Sequence, residues 1–173
     1  MKTIIKIIFF LILTNAYSQQ SNNSDLEPFA GTWKWQNNNQ TFKVHFYINN
    51  GYLKGNYELI ETTGSGLSST ETLIYKSKIL INTDLNFYFG PAISGGSLDG
   101  VLFTGYIRDN VLWTDGIHST KDGIISIDII DNSCLTCPTT AAWKVFSEGG
   151  IIIEGVTPIN FTIPTDITLT KVN

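Results

Sequence analysis

Apolar and polar residues alternate with a period of two along most of this chain. Between 41 and 48, Phe42, Val44, Phe46 and Ile48 share one face, while Thr41, Lys43, His45 and Tyr47 share the other. That alternation predicts an antiparallel strand with one packed and one solvated face. Asn49-Asn50-Gly51 follows, three residues suited to a tight reversal, so Tyr52 to Glu61 is expected to return as the partner strand. The same pattern predicts strands at 71–80, 85–89, 98–107, 111–118, 123–130, 141–146, 151–155 and 167–172. Arg108-Asp109-Asn110, Thr120 to Gly123 and Ser147 to Gly150 supply turn residues between them. Two stretches break the alternation. Thr62 to Thr70, almost wholly Gly, Ser and Thr, is expected to be a mobile rim loop, and Ser94-Gly95-Gly96-Ser97 a second flexible stretch.

About ten short strands with turn signals every 8–12 residues define an all-β domain. A single-chain antiparallel sheet of that size must hide its edges, and closure does so most completely. The expected fold is therefore one antiparallel up-and-down barrel of about 8–10 strands, with a β-sandwich or jelly roll as the alternative. No internal repeat or domain break interrupts it.

Only the first residues depart from this pattern. Lys2 and Lys6 precede an unbroken apolar run from Ile7 to Leu13, and Ala16-Tyr17-Ser18 places small residues at a cleavage position. That is the layout of a secretory signal peptide over residues 1–18. The run is too short to span a bilayer, which takes about 20 residues. Residues 19–28 are mostly polar and are expected to be a flexible spacer ahead of a domain spanning 29–173. The protein is thus expected to be exported, into a periplasm or the medium. Losing Lys2 and Lys6 leaves nine basic residues against fifteen acidic ones, a net charge of −6. The acids are scattered singly, and the chain lacks the clustered cations that nucleic acid or anionic lipid demands.

Both ends of the domain carry a resemblance. Pro28-Phe29-Ala30-Gly31-Thr32-Trp33-Lys34-Trp35-Gln36, with Gln40-Thr41-Phe42 behind it, resembles the start of small exported lipocalin-like proteins of unknown function. Ala142-Trp143-Lys144-Val145 and Phe161 to Lys171 resemble their ending. The likeness implies a calycin-type barrel and brings no activity with it. It also implies that Gly31 and Trp33 mark the first strand at the closed end of the barrel. Lipocalins stack a late arginine on that tryptophan, whereas the single arginine here is Arg108, in an expected turn. Lys144, beside Trp143, is the expected substitute cation, since a lysine can also lie over an indole.

Candidate chemistry is sparse. Cys134 and Cys137 have Cys-x-x-Cys spacing, but no helix pattern follows to lower a thiol pKa, and no further cysteine completes a zinc site. In an exported chain the pair is expected to form a small disulfide pinning its loop. His45 and His118, the latter close to Asp115, have no spacing that ties them into a metal pair. No nucleophile elbow, phosphate loop or spaced carboxylate pair is present, so no enzyme activity, cofactor or metal is expected. Oligomeric state has no signature in the sequence.

Aromatics remain: Trp33, Trp35, Phe42, Phe46, Tyr57, Phe87, Phe89, Phe103, Trp113 and Trp143 sit at strand positions. Two readings stay open. In the first, some of them line a barrel pocket that binds a small apolar ligand. In the second, they fill the interior, and the protein is a non-catalytic structural or interaction domain working through its surface. The discriminating feature is the inside of the barrel.

Overall fold

The strands expected from alternation form and curl into a ring. The computed structural model describes residues 23–64, 68–79, 81–82, 87–88, 90–111, 120–130, 136–148 and 160–172. One short helix, α1 (Asn23–Leu26), precedes β1 (Gly31–Asn37), β2 (Gln40–Asn49), β3 (Tyr52–Thr63), β4 (Thr70–Lys76), β5 (Ile81–Asn82) and β6 (Phe87–Tyr88). The series continues with β7 (Ile93–Ser97), β8 (Leu102–Asp109), β9 (Lys121–Ile130), β10 (Thr140–Ser147) and β11 (Asp166–Val172). Each of β1, β2, β3, β7, β8, β9, β10 and β11 pairs with the next, all antiparallel, and β11 returns to β1. The fold is a closed eight-stranded antiparallel barrel, with β4 added to one edge of β3 and a separate ribbon of β5 and β6. Of the expected strand at 111–118 only Val111 is described, as a turn residue, and the expected strand at 151–155 lies outside the described residues.

Local chemistry sets the reversals. Asn50 (φ 53°) and Gly51 (φ 75°) take the left-handed conformations of a two-residue hairpin and bring Asn49 opposite Tyr52. Asn38 (φ 52°) does the same between β1 and β2. Between β7 and β8, the Asp99 carboxylate accepts hydrogen bonds from the Val101 and Leu102 amides, both at 2.9 Å. Those amide bonds hold its pKa below the ordinary carboxylate value.

The glycine-rich stretch 94–97 is not a flexible loop. It is most of β7, and Gly95 stands opposite Gly105 of β8. A Cβ on Gly95 would come within 2.8 Å of the Phe103 ring, and one on Gly105 within 2.9 Å. The two glycines therefore make room for an aromatic ring that lies over them, a packing role that composition alone does not reveal. The spacer expectation is also corrected for residues 23–28. They form α1 and a turn, with Leu26 fully buried, so the packed unit begins before Phe29.

The interior is filled. Phe42, Val44 and Phe46 of β2 point inward with Leu53, Tyr57 and Leu59 of β3, Phe103 and Ile107 of β8, and Ile125 and Ile127 of β9. Trp33 of β1 and Trp143 of β10, both completely buried, belong to the same set. Phe42 stacks edge-on to Trp143 (5.6 Å between centroids) and lies 6.0 Å from Tyr57, while Phe46 and Phe29 flank Phe103 at 6.2 and 5.9 Å. Burial on this scale is worth about 1.5–3 kcal/mol per large side chain and is the main source of stability.

Candidate functional site

Three places hold the polar groups and cavities from which a function could be built: the two ends of the barrel and its outer face.

At the first end, Gly31 (φ 107°) adopts a backbone that L side chains rarely reach, and this turns the chain into β1. Trp33, two residues on, points inward and donates from Nε1 to the Phe29 carbonyl at 2.7 Å. Lys171 is its direct cross-strand partner on β11. The Lys171 ammonium lies 5.5 Å from the centre of the indole and donates to the Pro28 carbonyl at 2.7 Å. Burial lowers the Lys171 pKa, and the nearby Glu27 charge works against that shift. The cation over the Trp33 ring is Lys171 rather than the expected Lys144. Lys144 is exposed, because it neighbours the buried Trp143 and alternation turns it outward. Leu26 and Phe29, both fully buried, join the core at this end.

At the other end, among the described residues, lies a buried polar network. Asp109, only 4% exposed, accepts hydrogen bonds from the Thr162 backbone amide and hydroxyl and from the Tyr57 hydroxyl at 3.2 Å. Tyr57 OH in turn accepts from the Asn110 amide, and Tyr75 OH donates to the Thr162 carbonyl at 3.1 Å. Asn110 uses both ends of its side-chain amide on the Lys78 backbone. Burial, reinforced by the Asp109 charge, pushes the Tyr57 and Tyr75 hydroxyls well above the ordinary phenol range. The network has a structural origin. β7 covers only Leu53–Gly55 of the β3 edge and β4 covers Glu58–Thr63, so a seam opens between them at Tyr57. Ser77 bridges it by bonding both backbone groups of Tyr57. Trp143 Nε1 donates to the Pro164 carbonyl at 2.8 Å, fixing the 160–165 segment across this end.

The third place is outside. Outward residues of β1, β2 and β3 align in rows, Thr32 beside His45 beside Asn56, then Lys34 beside Lys43 beside Glu58 beside Lys76 of β4. Ser77 to Ile79 rises beyond β4 and walls these rows into a cavity of about 590 Å³. Thr32 Oγ1 lies 3.2 Å from His45 Nδ1, and the His45 ring stacks on Tyr47. Asn56 Oδ1 is buried within this lining and has no hydrogen-bond partner. Two further cavities also open outward, one of about 400 Å³ around Tyr52, Tyr106 and Ile124 and a smaller one beside the Arg108–Asp122 ion pair.

The remaining expectations divide by position. His45 belongs to the outer cavity. His118 and Cys134 lie outside the described residues, and Cys137 follows a turn before β10. Among the described residues, no three His, Cys, Asp or Glu side chains converge as a metal site would require, and no helix is long and apolar enough to cross a membrane. Sequence reasoning passed over Asp109, read as a turn residue, although it shares strand parity with Phe103 and Ile107. It also passed over Asn56, whose outward place on β3 gives no local signal of a buried side-chain oxygen.

Comparison with known proteins adds a family and no activity. No curated protein and no solved structure matches the chain. The sequence pattern of a family of unknown function, DUF6705, matches residues 1–91, just over half of the chain, and the protein belongs to that family.

Proposed function

We propose that this protein is an exported, non-catalytic, lipocalin-like barrel that works through its outer surface and holds no ligand inside. The observation that carries this reading is the filled interior: Trp33, Phe42, Phe46, Phe103 and Trp143 are at most 2% exposed. Among the described residues, buried groups stand at both ends, Leu26 and Phe29 at one and Asp109 with its partners at the other. The cavities found among the described residues open outward. A ligand-carrying barrel needs concave apolar space of at least about 300 Å³ within the ring. The Gly31-x-Trp33 entrance with Lys171 over the indole supports the calycin-type comparison, and the layout of residues 1–18 supports export. In the exported chain Cys134 and Cys137 form a disulfide, which thiol labelling under denaturing conditions tests.

The functional reading is tested by thermal shift with a panel of fatty acids, retinoids and small aromatics. The melting temperature should not move with any of them. A saturable rise with one apolar ligand, abolished by enlarging an interior residue such as Val44→Phe, would show an interior site and refute the reading.

A further inference from the structure

Gly95 and Gly105 make room for the Phe103 ring inside the barrel, but Gly96 has no such reason to be glycine. It alternates to the outer face of β7, opposite the exposed Thr104, and its φ is not positive. A glycine inside a strand weakens it and often marks a place where a ligand approaches the backbone closely. The gap it leaves lies within the outward-opening cavity of about 400 Å³, inside the size range of small-molecule sites. Tyr52 and Tyr106, 52% and 66% exposed, line that cavity together with Ile124. The polar side chains in the lining are the hydroxyls of Ser94, Thr104 and the two tyrosines, and among the described residues none that line it is charged. Lys54, opposite Ser94, turns its ammonium to the Asn49 side chain at 3.0 Å and stays out of the lining. The apolar row runs on past the cavity, because Ile124 pairs with Tyr106 on one side and with Phe146, 52% exposed, on the other.

We propose that this face binds a neutral oligosaccharide chain. A sugar ring has an apolar C–H face and a rim of hydroxyls. The C–H face settles on the tyrosine rings above Gly96, and the hydroxyls bond to Ser94 and Thr104, so both halves of the lining are used. A charged occupant would find no counter-charge in that lining. From Tyr52 on β3 to Phe146 on β10 the face crosses four strand spacings, about 19 Å, which extends the occupant beyond a single sugar unit. A protein partner fits less well. The three exposed aromatics offer roughly 250–400 Å² between them, well short of the roughly 800 Å² per partner of a stable protein interface. The assignment rests on the reading that the protein acts through its surface, and it names what that surface binds.

The test titrates the protein with cellohexaose, mannohexaose, laminarihexaose, maltohexaose and chitohexaose while recording the NMR ring signals of Tyr52 and Tyr106. At least one of these should shift both signals saturably, and the preferred one identifies the sugar and its linkage. Hexagalacturonate should bind more weakly than that hexasaccharide, because no lining cation meets its carboxylates. Tyr106→Ala should weaken binding about tenfold or more while leaving the melting temperature unchanged, since the ring is exposed and binding energy concentrates in such aromatic contacts. Gly96→Val fills the gap with a residue that suits a strand, so the melting temperature should hold or rise while binding is lost. The proposal is overturned if no hexasaccharide shifts the ring signals, if hexagalacturonate binds most tightly, or if Tyr106→Ala and Gly96→Val bind like wild type. An apolar ligand held inside the ring would instead stabilise wild type and Tyr106→Ala equally, which refutes the packed-interior reading and leaves the saccharide test standing.

Discussion

Replacing Phe42 by alanine probes the packed interior at its centre. Phe42 is fully buried on β2 and meets two rings, Trp143 edge-on at 5.6 Å and Tyr57 at 6.0 Å. Removing a buried phenylalanine side chain costs about 3–5 kcal/mol, because the lost transfer energy is joined by the energy of the cavity left behind. Each aromatic pair carries roughly 0.5–1.5 kcal/mol beyond area burial, which places Phe42→Ala toward the upper end, about 4–5 kcal/mol. Domains of this size have about 5–15 kcal/mol in total, so the variant should still fold. At roughly 2–4 °C per kcal/mol its melting temperature should fall by about 8–20 °C. Urea unfolding gives the free energy, and calorimetry the temperature. A dry apolar cavity of this kind should also accept benzene, so benzene should raise the melting temperature of Phe42→Ala and not that of wild type. A loss below about 1 kcal/mol, or equal benzene stabilisation of both proteins, would mean that the wild-type interior is not packed, and the reasoning would fail.

Other sites give sharper contrasts. Gly105→Ala should cost about 1–3 kcal/mol in urea unfolding, since the new methyl meets the Phe103 ring at 2.9 Å and the β7 backbone. Lys171→Ala should cost about 1–2 kcal/mol, losing the indole contact and the Pro28 hydrogen bond, whereas the exposed Lys144→Ala should stay within about 0.5 kcal/mol of wild type. Arg108 and Asp122 form a two-pronged pair at 2.7 and 2.8 Å, and its hydrogen bonding holds the Asp122 carboxyl below the usual carboxylate range. A lowered folded-state pKa stabilises above the ordinary carboxylate value and is lost as pH falls through the folded-state value. Asp122→Asn should therefore destabilise at neutral pH and match wild type in strong acid, by no more than about 1 kcal/mol because both side chains are nearly half exposed.

Local pattern carried most of the fold. The alternation of 41–48 gave β2 its packed face, and Asn50 and Gly51 gave the hairpin after it, because both are properties of neighbouring residues. The glycines of β7 misled, since their role depends on Phe103 arriving from the next strand. Leu26 misled for a related reason: one apolar residue in a polar stretch has no period, yet a closing end needs only one plug. The cation over Trp33 depended on register across β1 and β11, which joins residues at opposite ends of the chain. Inward parity through Ile167, Leu169 and Lys171 hinted at it, while Lys144 beside the inward Trp143 had the wrong parity. The seam at Tyr57 was illegible, because it arises where β4 and β7 divide one strand edge. The outer cavity shares that non-local origin.

The central claim is that the ring encloses side chains and no cargo. Native mass spectrometry of the protein purified from its own cells tests it most directly. No apolar molecule should travel with the polypeptide. A hydrophobic small molecule retained in equimolar amount, and released only when the barrel unfolds, would contradict it.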